Sequence, residues 1–367
     1  MGIGRFAYTP MLPLMHAHAG LSAGMAGVLA SSNLAGYLAG VLLAMAPALR
    51  GRRLATVRGS IAAVILATAA MAIPSLPLWI VLRFVTGVAS GFAFVLCSSL
   101  VLDRAAREGK PAWAGWLYAG VGIGIVLSAA AIPPSAASGG WQGGWLGLAL
   151  VSAALVGATI LALRDEPAAW RQPERLAAAG RDRRLFWWLF AAYGGEGLGY
   201  IIPATFMVAM FVRVPTLAPV ANVAWALVGC VAIPSTLVWN RLGLRLGAAT
   251  ALGVALAVQA AGTLAPIVAP NAYGATLAAI SLGGTFMGIT TLANALGREL
   301  YPERSHVAIG RLATIFGAGQ IAGPLVATSL TLHTGTYDAA IVAAACALFL
   351  SSALMFVGAR GRSTGVA

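Results

Sequence analysis

The sequence predicts an all-α polytopic membrane protein with twelve transmembrane helices. Three observations predict it. Of 367 residues, 60% are hydrophobic and only 9% charged, against roughly 25% charged residues in a soluble domain. Apolar segments of about 17–25 residues, each long enough to cross ~30 Å of hydrocarbon, recur along the chain; the short alternating segments of a membrane barrel do not. The basic residues, finally, alternate from loop to loop. A net charge of +13 would suggest nucleic acid if it formed a patch on a soluble face. Here the charges sit between spans, so no nucleic-acid partner is expected.

In chain order the spans are read at 1–18, 21–48, 59–75, 77–102, 112–134, 141–163, 184–212, 217–239, 247–268, 271–297, 308–331 and 337–358. The loops after the even-numbered spans hold 20 of the 23 Lys and Arg, while the opposite loops hold only Arg213. A wrong span count would scramble this alternation, and the positive-inside rule then places both termini in the cytoplasm. Trp79, Trp141 and Trp145 fall at the outer boundary and Trp113, Trp187, Trp188 and Trp239 at the inner one, the expected places of an aromatic belt. Cys97, Cys230 and Cys346 all lie in apolar segments, which argues against a disulfide framework or a metal site.

The longest polar interval divides six spans from six. This gives an N-terminal six-helix bundle over 1–163, a cytoplasmic linker over 164–183, a C-terminal six-helix bundle over 184–359 and a tail over 360–367. The halves echo each other. Gly2-Ile3-Gly4 answers Gly197-Leu198-Gly199, Thr86 to Gly91 answers Gly283 to Gly288, and Gly120-Val121-Gly122 answers Gly317-Ala318-Gly319, at offsets of 195, 197 and 197 residues. Two pseudo-symmetric bundles with a site between them are the layout of a secondary transporter.

The first span carries the strongest functional signal. Arg5 stands among apolar, aromatic and small residues, and a guanidinium in hydrocarbon costs roughly 2.5–3.5 kcal/mol on insertion scales, so it normally faces a partner or a water-filled cavity. Pro10 and Pro13 are expected to bend or break the helix beyond it. From Met1 to Leu14 a helix rises only about 20 Å, short of the membrane. The first span therefore reads as truncated, with a start expected on the order of 10–20 residues upstream. If the short start is real, Arg5 snorkels to the cytoplasmic face instead.

These residues carry a resemblance that covers essentially the whole chain. Gly2-Ile3-Gly4-Arg5-Phe6-Ala7-Tyr8-Thr9-Pro10, with Asn33-Leu34-Ala35-Gly36-Tyr37, resembles the YbfB/YjiJ-type branch of the major facilitator superfamily (MFS). Arg83 to Gly91 is similar to the superfamily's span-four motif, and Gly319-Gln320-Ile321-Ala322-Gly323-Pro324 to its GxxxGP motif. The basic loop Arg50-Gly51-Arg52-Arg53 lacks the acidic residue usual in the signature loop, and Asn240 stands where its counterpart acid would fall. The resemblance implies the MFS fold and a transporter whose substrate is generally unassigned, and it implies a functional monomer.

Glu196 is the only carboxylate deep within a span. Twelve residues past Arg184, it lies roughly 18 Å into a membrane of about 30 Å. A carboxyl placed between apolar surroundings and a nearby guanidinium can gain and lose a proton during transport; a fixed ion pair is the other reading. Spans one and seven are equivalent, so Arg5 and Glu196 are expected to face each other across a central cavity. The family motif gives Arg83 a place in coupling, with helix anchoring as the alternative. Tyr8, Asn33, Tyr37, Tyr193, Tyr200, Asn222, Trp225, Asn294 and Gln320 are each read as helix glue or, together, as the lining of a pocket for an organic molecule. His16 and His18 read as a solvated loop, since two His without further ligands make a poor metal site. Asp338 reads as a helix cap.

The expected function is secondary active transport of a small organic molecule across a bacterial inner membrane by alternating access. Protons are the expected coupling ion, efflux is favoured over uptake, and lipid is the other contact. No cofactor, metal or catalytic residue is expected. The rivals are a polytopic membrane enzyme such as a lipid-linked transferase, which needs acids or His clustered at one face, and an inactive truncated transporter.

Overall fold

A computed structural model describes residues 2–46, 52–108, 112–162, 183–301 and 305–363. Among these residues ten helices are long and apolar enough to cross a membrane. The two remaining spans of the expected twelve are accounted for at α1–α2 and within α6.

The first span is broken into α1 (Gly2–Phe6) and α2 (Tyr8–His18). The cause is Pro10, which has no N–H to donate to the Phe6 carbonyl. The ladder resumes on either side of the gap, with Ala7 N donating to Ile3 O at 3.0 Å and Met11 N to Ala7 O at 3.2 Å. The helix from Ala112 to Ala162, α6, is 51 residues long. Straight, it would reach about 75 Å, more than twice the hydrocarbon thickness. It is two spans joined at Gly139 and Gly140, whose φ/ψ leave the helical region; Gly140 has φ 61°, which a residue with a Cβ rarely adopts. The chain folds back tightly there, so that a Cβ on Gly143 would sit 2.3 Å from the Ser135 carbonyl.

The other spans are α3 (Ala23–Ala44), α4 (Arg53–Ala70), α5 (Leu76–Arg107), α7 (Arg183–Arg213), α8 (Ala221–Leu246), α9 (Ala248–Val268), α10 (Ala272–Leu300), α11 (Ser305–Thr334) and α12 (Asp338–Ser363). Of the expected linker 164–183 only Arg183 is described, and the tail beyond 363 and the loop residues 47–51 lie outside the described residues. The chain forms two compact units, Met1–Ala168 with Ala204–Ile233, and Ala169–Pro203 with Pro234–Ala367. Both crossings from one unit to the other occur inside a helix beside a proline, at Pro203 in α7 and Pro234 in α8.

Helix-to-helix packing in each unit rests on glycine. In the first unit α3 and α5 cross with nothing between their backbones. Cβ atoms added at Gly36 and Gly40 would lie 2.2 Å from the carbonyls of Phe84 and Val88, and one at Gly87 would lie 2.1 Å from that of Asn33. Small residues at four-residue spacing permit this approach in lipid, where apolar burial does not drive helices together. In the second unit the same job near Gly288 falls to an aromatic ring: Trp239 Nε1 donates to the Gly284 carbonyl at 2.6 Å, and a Cβ on Gly288 would meet that ring at 2.1 Å.

The aromatic belt is corrected in part. Trp79, Trp141 and Trp145 are buried. Trp79 meets Trp141 edge to face at 5.5 Å and donates from Nε1 to the Ile73 carbonyl at 2.7 Å. For Trp79 and Trp141, ring–ring packing and a carbonyl partner within the protein outweigh the lipid interface, while Trp145 is buried with its Nε1 unpartnered among the described residues. Trp187 is half exposed, as a belt residue would be.

Two substitutions separate these roles. Gly87→Ala forces a Cβ against backbone and should destabilise by about 1–3 kcal/mol. Gly59→Ala, in a helix with nothing within 4 Å of the added atom, should leave the thermal midpoint in detergent unchanged or higher, by up to about 1 kcal/mol. Equal losses from both would contradict the close-packed crossing.

Candidate functional site

In the first unit the break at Pro10 sets Arg5 at the end of α1 and Tyr8 at the start of α2. Both are buried, as are Asn33 of α3 and Arg83 of α5. The two cations are interleaved with two tyrosines. The Arg5 guanidinium carbon lies 4.4 Å from the centre of the Tyr37 ring and 5.2 Å from that of Phe6, and the Arg83 guanidinium carbon lies 4.6 Å from the centre of the Tyr8 ring. Each ring face is the negative part of an aromatic quadrupole, so it stabilises a charge that lipid would not. Tyr8 is fixed in turn by donating its hydroxyl to the Ala26 carbonyl at 3.0 Å. Asn33 Nδ2 donates to the Arg83 carbonyl at 2.8 Å, which holds α3 and α5 in register. Tyr37 also packs on Phe94, with centroids 6.4 Å apart.

In the second unit the centre is α7. Gly194 and Gly197 pack on Ile315 and Phe316 of α11, and Gly195 and Gly199 on Ser351 and Leu348 of α12. With 3.6 residues per turn, Tyr193, Glu196 and Tyr200 form a stripe on the remaining face. Glu196 is fully buried, and neither carboxyl oxygen has a hydrogen-bond partner among the described residues. Beside it stands a ladder of four near-parallel rings. Tyr193 stacks on Phe316 at 4.5 Å, Phe316 on Tyr200 at 5.6 Å, and Tyr200 on Phe286 at 6.2 Å, with interplanar angles of 14°, 6° and 8°. Gln320 Nε2 donates to the Tyr200 hydroxyl, while its Oε1 has no partner.

The structure therefore gathers Arg5, Tyr8, Asn33, Tyr37 and Arg83 in one unit, and Tyr193, Glu196, Tyr200 and Gln320 in the other. The remaining candidates stand apart from these groups. Asn222 is exposed at the second residue of α8. Asn294 is half-buried and donates to the Thr290 carbonyl of its own helix at 2.9 Å. Trp225 is buried, with Nε1 unpartnered. Phe286 and Phe316 were not among the expected residues. They stand on α10 and α11, and no spacing within one helix points to them. His16 is half-buried, not solvated, because its Nδ1 pairs with the Leu21 carbonyl across the turn after α2. No cluster of metal-binding side chains occurs among the described residues.

The profile of the family described as "Uncharacterised MFS-type transporter YbfB" matches residues 1–356. No curated protein matches the chain.

The Gln320–Tyr200 bond gives an unusual double-variant outcome. Tyr200→Phe leaves a buried amide without its acceptor and should cost about 1 kcal/mol, the scale of a hydrogen bond inside a membrane bundle. Adding Gln320→Leu removes the orphaned polar group and should recover most of that loss. Unfolding midpoints in lipid–detergent micelles check it; additive losses would show that the bond is not what holds these two side chains.

Proposed function

The chain belongs to the YbfB-type family of major facilitator superfamily transporters, and on that premise we propose a proton-coupled secondary transporter that moves a small organic molecule across a bacterial inner membrane by alternating access. Its working parts are two six-span bundles joined at 164–183, with both termini in the cytoplasm, and export is the favoured direction. The observation that carries the coupling is Glu196. It is fully buried and has no partner for either oxygen among the described residues. A charge left uncompensated at that depth is costly, so the group must exchange its charge with a proton or a partner as each side of the membrane opens in turn. The stacked rings of Tyr193, Phe316, Tyr200 and Phe286 make a rigid apolar wall beside it.

Transport with a proton predicts separable steps. In proteoliposomes, Glu196→Gln should abolish flux driven by an imposed pH gradient, by tenfold or more, while exchange of substrate across the membrane without a gradient persists. Flux with unchanged pH dependence in Glu196→Gln would remove the basis for coupling at this residue.

A further inference from the structure

The charge distribution of the first unit is lopsided. Residues 1–102, 112–162 and 204–233 contain no Asp or Glu at all, so every acid of that unit lies between 103 and 108 or 165 and 166, at the ends of spans. Yet the same unit buries two arginines, Arg5 at 8% and Arg83 at 4% exposure. They stand on α1 and α5, which pack against each other, and Tyr8, the ring beneath Arg83, begins the helix that follows Arg5. Arg83 is the clearer of the two: its guanidinium rests on the Tyr8 ring, and its Nε has no hydrogen-bond partner among the described residues. The unit has two intramembrane cations and no anion of its own at their depth.

The way Arg83 is held says what would complete it. A guanidinium drawn to an aromatic ring as a charge still offers the N–H edge that carries Nε, and the Nε of Arg83 has no partner among the described residues. That edge is a planar fork of N–H donors whose spacing matches the two oxygens of a carboxylate. The ring supplies attraction without neutralising the charge. The position of the fork is fixed as well, because Tyr8 is tied to the Ala26 carbonyl and the Arg83 backbone is tied to Asn33.

We infer that the first unit contains an anion subsite in which Arg83, with Arg5 beside it, takes the carboxylate of a small organic acid, and that the transported molecule is therefore an organic carboxylate. The substrate assignment rests on the transporter reading above, whereas the binding of a carboxylate at Arg83 does not. The inside-negative membrane potential drives such an anion outward, in keeping with export.

The test is calorimetric titration of the purified full chain with phenylacetate and hexanoate, against neutral phenylacetamide and cationic phenethylamine. Both carboxylates should bind, the amide at least tenfold more weakly, and the amine not at all. Arg83→Gln should weaken phenylacetate at least tenfold, and Arg83→Lys should fall between, since a point charge lacks the fork. If Arg83→Gln does not fold, Arg83→Lys and the acid-against-amide comparison in the unaltered protein still decide. Equal binding of acid and amide, preference for the amine, no carboxylate binding, or an unaffected Arg83→Gln overturns the subsite. Glu196→Gln keeps the two proposals apart. Carboxylate binding without pH-driven flux in any protein sinks the coupling and leaves the subsite, and pH-driven flux of uncharged compounds without carboxylate binding sinks the subsite alone.

Discussion

Direct backbone contact between helices is the constraint on which the rest of the structure depends. Lipid gives helices no hydrophobic reason to associate, so dispersion between closely approaching surfaces has to hold them. Gly36, Gly40, Gly87 and Gly91 let the backbones of α3 and α5 come into direct contact. That closeness is what lets Asn33 reach the Arg83 carbonyl and lets Tyr37, Tyr8 and the two arginines share one small volume. A bulkier crossing would separate the cations from their rings. The polar site is thus a consequence of apolar packing a turn away.

The two units solve the problem of intramembrane polarity differently. The first holds fixed positive charge against aromatic faces, which attract a cation without cancelling it. The second holds a single carboxyl and a partly satisfied amide beside four stacked rings. Neither arrangement maximises stability, because a pair of apolar side chains would fill the same volumes at less cost.

Much of this was legible in the sequence. The alternation of Lys and Arg fixed the span count although helix assignment alone merges two spans into α6. Pro10 announced the broken first span, whereas Pro13 sits inside unbroken α2; Arg5, Arg83 and Glu196 stood out because charge is rare at that depth. Other features were hidden for physical reasons. The ring ladder draws on α7, α10 and α11, so no local spacing within one helix reveals it. Trp79, Trp141 and Trp145 have the composition of a lipid interface but are buried, the first two against each other. The repeat was also read two residues out of register in one place. Gly120-Val121-Gly122 and Gly122-Ile123-Gly124 are indistinguishable as short motifs, and only contacts choose between them: Gly124 lies against the Gly2 carbonyl carbon and the Ile3 nitrogen, as Gly319 lies against those of Gly197 and Leu198.

That corrected register carries a statement about history. Gly2 to Gly124 and Gly197 to Gly319 are both intervals of 122 residues, although four interhelical loops intervene in each. Loops tolerate insertion and deletion far more readily than helices do. An ancestral six-span unit that was copied and then drifted by substitution, with gains and losses of length cancelling or absent across five spans, would leave this trace. The two copies came to hold opposite charges while keeping the same ruler.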